Sequence, residues 1–470
     1  MSQLQEKDLE NKLIEFFGFD TFRDGQKETI EALLQGQDTL MQVPTGTGKS
    51  LCYQLTGYLL DGLVVVVTPL ISLMEDQVQR LLQQNEQRVT YLNSQLSKEE
   101  RYYILTHLQT YKFLFVSPEM LHQSRLIQAL KQQTIALFVV DEAHCISQWG
   151  IDFRPEYRQL QQIKEELGNP LTLALTASAT PTVREEISTM LCRPGYQEIV
   201  YSVDRPNIQL FVKHTEDKFA QLKEVLAQSD GATIIYCATR KKVEEVYRFL
   251  KDEYLVGYYH GGLTSNERSS LQQQFQKNQL QILIATNAFG MGIDKADIRV
   301  VIHFDLPDSI ENYLQEIGRA GRDGKESYAL LLYQEFDERI HYFFQEKLAQ
   351  EIQQFQWLLK QQQPELLLPK QETLHKKWLR AYQQNEMFLV ELEQYEEIKK
   401  QKLHAMKAYL DTTDCYRTYL LQYFEETVIR SSQPCCSLDT ATWPNQSRLK
   451  REEFKSPSWI VRLAEIFKEG

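Results

Sequence analysis

A recurring pattern restricts the fold of this chain more than any other: a short, continuous apolar run, rich in β-branched residues, followed by sequence of helical periodicity. Leu63-Val-Val-Val-Val-Thr-Pro69, Phe113-Leu-Phe-Val-Ser-Pro118 and Ala136-Leu-Phe-Val-Val-Asp141 form one set. Thr233-Ile-Ile-Tyr-Cys237, Gln281-Ile-Leu-Ile-Ala-Thr286, Val300-Val-Ile-His-Phe304 and Tyr328-Ala-Leu-Leu-Leu-Tyr333 form a second set beyond Arg205-Pro-Asn207. Strands apolar on both faces must be covered on both, so this alternation predicts parallel sheets with helices on either side. The fold class is therefore α/β, two such domains in tandem, with the joint near Val203 to Asn207. From about Glu335 the β-rich runs stop, and Gln, Glu, Lys and Leu dominate up to Leu410, interrupted around Pro364 and Pro369. Within Gln350 to Gln363, Ile352, Phe355, Leu358 and Leu359 recur at helical spacing, which predicts a packed helix rather than a low-complexity tract. The expected division is residues 1–203, 204–338, a mainly helical 339–440, and a tail of 441–470.

At 470 residues, 42% hydrophobic and 25% charged, the composition excludes collagen-like and wholly disordered classes. The longest apolar run, Leu63 to Pro69, is far short of the roughly 18 residues of a membrane span, and the polar N-terminus lacks a signal-peptide core. Seven cysteines in so long a chain do not make a disulfide framework, so a reducing, cytoplasmic location is expected. The balance of 52 basic against 64 acidic groups argues against coating nucleic acid by bulk charge and leaves room only for a local basic groove.

Three motifs carry chemistry. Pro44-Thr-Gly-Thr-Gly-Lys-Ser50 separates the apolar segment Thr39 to Val43 from a helix expected to start at Ser50. There the backbone N–H groups of Thr45, Gly46, Thr47 and Gly48 can close around phosphates, Lys49 can reach the β/γ-phosphates, and the Ser50 hydroxyl can ligate Mg²⁺. Val43 stands where the strict Walker A pattern has its first Gly. Asp141-Glu-Ala-His144 ends an apolar strand, where Asp141 would hold Mg²⁺ through water and Glu142 would orient or deprotonate the attacking water. Gln315-Glu-Ile-Gly-Arg-Ala-Gly-Arg322 offers Arg319 and Arg322, three apart and expected on one helical face, to the charge developing on a γ-phosphate. Each motif alone also suits an ordinary turn or a solvated surface. Together they imply ATP bound between two lobes.

With these residues in hand, the chain resembles the RecQ family of superfamily 2 DNA helicases from about Phe16 to Tyr333. The likeness rests on Phe17-Gly-Phe-Asp-Thr-Phe-Arg-Asp-Gly-Gln26, Pro69-Leu-Ile-Ser-Leu-Met-Glu-Asp-Gln77, Asp141-Glu-Ala-His-Cys-Ile-Ser-Gln-Trp-Gly-Ile-Asp-Phe-Arg-Pro-Glu-Tyr157, Leu175-Thr-Ala-Ser-Ala-Thr180, Tyr259-His-Gly-Gly-Leu263 and Ala285-Thr-Asn-Ala-Phe-Gly-Met-Gly-Ile-Asp294. It implies two RecA-like P-loop domains and ATP-driven unwinding with 3′ to 5′ polarity on single-stranded and partially duplex DNA, in repair or recombination. The resemblance assigns Arg23 and Gln26 to adenine and brings Gly292 and Asp294 to the nucleotide from the second lobe. It makes Arg322 the arginine finger, with Arg319 nearby and Gln315 as polar support. Thr176 to Thr180, with Ser178 where many relatives have Thr, would link hydrolysis to lobe movement. Trp149, Phe153, Arg154 and Tyr157 interleave aromatics with a guanidinium, as in the family's aromatic-rich loop that couples single-stranded DNA to hydrolysis; Ile151 replaces a His common there. Arg268 is a further candidate phosphate contact. A monomer is expected, with a single-stranded-DNA-binding protein as a candidate partner. Two other readings stay open on sequence: an ATP-switched remodeller or annealing factor, and an RNA helicase.

The resemblance frays after the second domain. Asp414-Cys-Tyr-Arg-Thr-Tyr-Leu-Leu-Gln-Tyr-Phe424 and Pro434-Cys-Cys-Ser-Leu-Asp439 resemble the two ends of the family's four-cysteine zinc module, but only Cys415, Cys435 and Cys436 are present. Asp439 stands where the fourth cysteine would be, so a Cys₃Asp zinc site and a metal-free relic both remain open, adjacent cysteines being awkward to converge on one ion. The remaining chain is too short for the winged-helix and HRDC domains of longer relatives, and the likeness is to a short bacterial RecQ-like form.

Overall fold

Residues 6–146, 155–287, 289, 295–369, 371, 373–384, 386–428 and 434–444 are described by a computed structural model. The first sheet holds β1 (Thr39–Gln42), β2 (Leu63–Val67), β3 (Val89–Leu92), β4 (Phe113–Val116), β5 (Ile135–Val140), β6 (Thr172–Thr176) and β7 (Gln197–Val200), in the order β3-β4-β2-β5-β6-β1-β7. The second holds β8 (Ile208–His214), β9 (Ala232–Tyr236), β10 (Val256–Tyr259), β11 (Ile282–Ala285), β12 (Ile298–His303) and β13 (Ser327–Tyr333), in the order β10-β11-β9-β12-β13-β8. The pairings within both sheets are parallel.

The apolar runs become strands because each sheet is covered on both faces. Val65, Val67, Phe138 and Val140 enter one core of the first sheet, while Val64, Val66, Leu137 and Val139 enter the other. In the second sheet Ile234, Leu283 and Val301 divide in the same way from Ile235, Ile284 and Ile302. Each side chain so buried contributes about 1.5–3 kcal/mol. Of the strands without such runs, β3, β7, β8 and β10 lie at sheet edges, β7 largely exposed and β3 half-buried, while β6 is buried inside the first sheet. Their composition gives little signal, and tertiary pairing sets them.

Beyond the second sheet, helices Arg339–Leu359, Leu374–Gln384 and Phe388–Leu410 build an arm with its own core, in which Ile352, Phe355 and Leu358 meet Trp378 and Leu392. The predicted helix within Gln350 to Gln363 thus runs to Leu359, and a 3₁₀ turn, Pro364–Leu367, follows it. The far end of the third helix joins the second sheet's core through Met406 and Tyr409, with Tyr416 and Leu420 of helix Tyr416–Tyr423. Ion pairs line that seam, Lys402 to Glu311 at 3.0 Å and Lys407 to Glu338 at 2.8 Å, while Arg158 of the first domain reaches Glu391 of the arm at 3.4 Å. Among the described residues no helix is long and apolar enough to cross a membrane.

Candidate functional site

In a parallel sheet, ligands gather at the carboxyl ends of the strands. The strand order sets β6 between β1 and β5, so Thr176 ends between the phosphate loop and the acidic pair: the Val43 N–H donates to the Thr176 carbonyl at 3.3 Å, and the His144 Nδ1 lies 3.1 Å from the Thr176 hydroxyl. Within the loop, Gly46 and Gly48 have φ of +88° and +83°, a conformation only glycine adopts without strain. The helix after it begins at Lys49, one residue before the sequence expectation. Gln26 is buried and fully used: its Nε2 donates to the carbonyls of Thr47 and Gly48, both at 3.0 Å, and its Oε1 accepts from the Arg23 N–H at 2.9 Å. The Arg23 guanidinium donates to the Gly46 carbonyl at 2.7 Å. Both residues assigned to adenine by resemblance therefore also brace the phosphate loop from outside.

The acidic pair sits at the end of β5. Burial, reinforced by Glu142, pushes the Asp141 carboxyl up to about 7, while Lys49 opposes the rise. Lys49 is itself pushed down by burial, against the pull of Glu142 and Asp141. Glu142 adopts φ +49°, uncommon for a residue with a Cβ, and its Oε2 is buried without a hydrogen bond, 3.5 Å from a His144 that burial keeps neutral. This turn places the Glu142 carboxylate beside His144 at the carboxyl end of β5. Ser50 bonds the Tyr53 hydroxyl from the first turn of its helix.

The second domain meets this loop directly. Arg319 and Arg322 do not share a helical face: the helix ends at Ile317, and both lie in the glycine-punctuated turn beyond it. Arg319 is buried and bonds the Tyr236 hydroxyl, whereas the Arg322 side chain packs so closely on Gly46 that a Cβ there would meet Arg322 Cγ at 2.8 Å. The Thr45 hydroxyl donates to the Gly318 carbonyl at 2.8 Å. Gln315, also buried, lines the same junction with Thr45 and Ser178.

At the other end of the second domain, Cys415, Cys435, Cys436 and Asp439 place one ligand atom each within 4.8 Å of one another. The Cys415 sulfur is 3.3 Å from Cys435 and 3.6 Å from Cys436, and Cys435 lies 3.2 Å from Asp439 Oδ2. Sulfurs on a tetrahedral zinc with bonds of about 2.3 Å lie about 3.8 Å apart, close to this spacing. The adjacent cysteines do converge, as the Cys₃Asp alternative of the two left open by the sequence requires. Their segment is fixed to edge strand β8, with the Leu210 N–H donating to the Cys435 carbonyl at 3.0 Å and the Ser437 N–H to Leu210 at 2.9 Å. A bond from Cys436 holds the Cys415 thiol well below the usual range.

Comparison with known proteins agrees with this layout. A family described as "DEAD/DEAH box helicase" matches residues 23–187, "Helicase conserved C-terminal domain" matches 217–324, and "RecQ zinc-binding" matches 370–440. "Probable ATP-dependent DNA helicase RecS" of Bacillus subtilis (strain 168) is 42% identical over 98% of this chain and 98% of its own length. "ATP-dependent DNA helicase RecQ" of the same organism is 35% identical over 97% of this chain and 70% of its own. The chain belongs to the RecQ family of ATP-dependent DNA helicases. A Mycobacterium smegmatis helicase, Lhr, solved bound to ssDNA and AMP-PNP, superposes with a TM-score of 0.59 at 21% identity, over 68% of this chain and 47% of that one; what the two share is the fold.

Several residues that hold this RecQ-family site together carry no motif. Arg205, Asn207 and Arg417 stitch the domain junction; in sequence the first two mark only the joint and the third only one end of a zinc-module-like stretch, with no role attached to any of them. Tyr157, next to the aromatic-rich segment, is fully buried and donates to the Asp141 carbonyl at 3.3 Å, so it is a core residue of the acidic pair's turn. Arg268 stands on helix Ser265–Gln276, bonded to the Tyr259 hydroxyl near Glu75. Trp149, Phe153, Arg154, Gly292 and Asp294 lie outside the described residues.

The packing at Gly46 yields a direct test. In Gly46→Ala the added Cβ meets both a left-handed backbone and the Arg322 stem, so ATP turnover is expected to fall about tenfold or more. Gly36→Ala, at φ +81° with nothing within 4 Å, carries the backbone strain alone and should keep its turnover. Equal rates for the two variants in a steady-state ATPase assay would contradict the contact's importance.

Proposed function

We propose that this chain hydrolyses ATP between its two lobes and uses the cycle to move 3′ to 5′ along single-stranded DNA, separating partially duplex DNA as a monomer. The observation that carries the reading is the seat of Arg322 on Gly46: the cation that answers charge on the γ-phosphate comes from one lobe and the phosphate loop from the other, so hydrolysis and lobe movement are linked. The loop's N–H groups and Lys49 bind the phosphates, and Glu142, at the carboxyl end of β5, orients the water and takes its proton. Arg322 stabilises the transferred phosphoryl group, with Gln315 beside it and Arg319 fixing the turn through Tyr236. Ser50 and Asp141 offer the hard oxygen donors that suit Mg²⁺, and a divalent cation would relieve the like-charge burial that now raises Asp141. When bound, Mg²⁺ supplies charge neutralisation on the phosphate oxygens. Gly292 and Asp294 would approach the nucleotide from the second lobe, and Trp149, Phe153 and Arg154 would carry the strand, with Arg268 at the lobe contact. Cys415, Cys435, Cys436 and Asp439 would hold zinc. The test is strand displacement on a 3′-tailed DNA duplex beside 5′-tailed and RNA versions. Displacement confined to the 3′-tailed DNA is expected. ATP turnover without displacement would indicate an ATP-switched remodeller, and equal activity on RNA would remove DNA as the specific substrate.

A further inference from the structure

The connection between the lobes carries an arginine with four carbonyl partners. Arg205 Nη1 donates to Thr45 O at 3.0 Å and Gly318 O at 3.1 Å, and its Nη2 to Ala320 O at 3.0 Å and Gly321 O at 2.7 Å. The first acceptor belongs to the phosphate loop of the first lobe; the other three form the turn that carries Arg319 and Arg322. That turn follows a helix C-terminus, where carbonyls left over from the helical ladder need other donors. Asn207 of the same connection adds to these bonds, its Nδ2 donating to Gly321 O at 2.8 Å and Lys325 O at 2.9 Å, while strand β12 holds the turn from its other side, the Gly321 N–H donating to Ile298 O at 2.9 Å.

Arg205 is in turn held from behind. Asp204 pairs with Arg417 of helix Tyr416–Tyr423, and Arg417 Nη1 also donates to the Arg205 carbonyl at 3.0 Å. Glu426 accepts from the Val203 N–H at 2.8 Å. The backbone of the connection is thereby fixed to the C-terminal module, and the Arg205 side chain projects forward between the lobes.

We infer that Arg205 is a positioning residue for ATP hydrolysis, clipping the phosphate loop to the Gly318–Gly321 turn so that Arg322 stands over Gly46, without itself touching nucleotide. The inference rests on Arg322 being the finger. A planar guanidinium with donors at fixed angles can set four carbonyls relative to one another, which a single ammonium on a flexible stem cannot. Catalysis by a positioned cation is sensitive to such placement, since a shift of about 1 Å can cost about 10²-fold in rate.

The test is a mutant cycle in steady-state ATPase assays with saturating single-stranded DNA, combined with equilibrium binding of a non-hydrolysable ATP analogue. Arg205→Lys and Arg205→Ala are expected to lower kcat by about 10- to 100-fold with analogue affinity retained. The Arg205→Ala, Arg322→Ala double variant should be no slower than Arg322→Ala alone, because a residue acting through Arg322 has nothing left to position. Should Arg205→Ala lower the thermal midpoint sharply, the cycle is run with Arg205→Lys, which keeps the charge. A wild-type kcat in Arg205→Lys, or losses that multiply in the double variant, overturn the role of Arg205. A near-normal rate in Arg322→Ala overturns the finger assignment beneath it, and that single variant tells the two failures apart.

Discussion

Arg322→Ala is expected to depress ATP turnover by about 10³ to 10⁵, the range that arginine fingers supply. The cooperative melt should change little. The side chain lies across Gly46 and is only half-buried, so its removal leaves no cavity comparable to a lost core residue. Glu142→Gln provides the comparison from the opposite side of the cleft. It should also stop turnover, by about 10² to 10⁴, because the amide keeps the size of the side chain but cannot take the proton from water. The two variants part in DNA-free binding of a γ-phosphate analogue: Glu142→Gln is expected to hold it as tightly as the parent, or more so with one carboxylate removed beside the buried Asp141, and Arg322→Ala more weakly. Near-normal hydrolysis in Arg322→Ala would move the finger role to another cation, the buried Arg319 being the nearest in sequence.

The second large effect is expected at the cysteine cluster. The purified protein should contain close to one equivalent of zinc, and Cys415→Ser should lose it together with the folding of the C-terminal module. Structural zinc binding is folding free energy, of order 10–16 kcal/mol for small domains. The consequence should reach beyond the cluster. Cys435 and Cys436 pair with edge strand β8, and Arg417, which bonds Cys435, also holds the connection that carries Arg205. Loss of the metal is thus expected to lower ATP turnover as well as thermal stability, and zinc added back to the chelated parent should restore both. Asp439→Ala separates a ligand from a bystander, since an exposed aspartate outside the metal shell tolerates the change. Elemental analysis showing no zinc, with Cys415→Ser costing only about 1 to 3 kcal/mol, would mark the cluster as a packed relic.

Sequence alone was enough for β2, β4, β5, β9, β11, β12 and β13 and for the residues at their ends, but not for the inner strand β6. Val64 to Val67 or Leu137 to Val140 can satisfy their side chains only as strands buried on both faces, and a phosphate loop or an acidic pair then falls at a strand's carboxyl end by continuity of chain. Tertiary structure alone decided what lies across from what. The insertion of β6 between β1 and β5 set Thr176 between the phosphate loop and the acidic pair, and no local pattern encodes strand order. Arg319 and Arg322, three apart in sequence, went to different tasks because the helix stopped at Ile317 and the turn beyond it faces two ways. The adjacent Cys435 and Cys436 meet Cys415 where their segment pairs with edge strand β8, a pairing formed across more than two hundred residues. Arg205 reads in sequence as one more linker charge. Its four carbonyl partners come from segments far apart in the chain, and hydrogen bonds to backbone carbonyls leave no side-chain signature on the partner that a sequence could display.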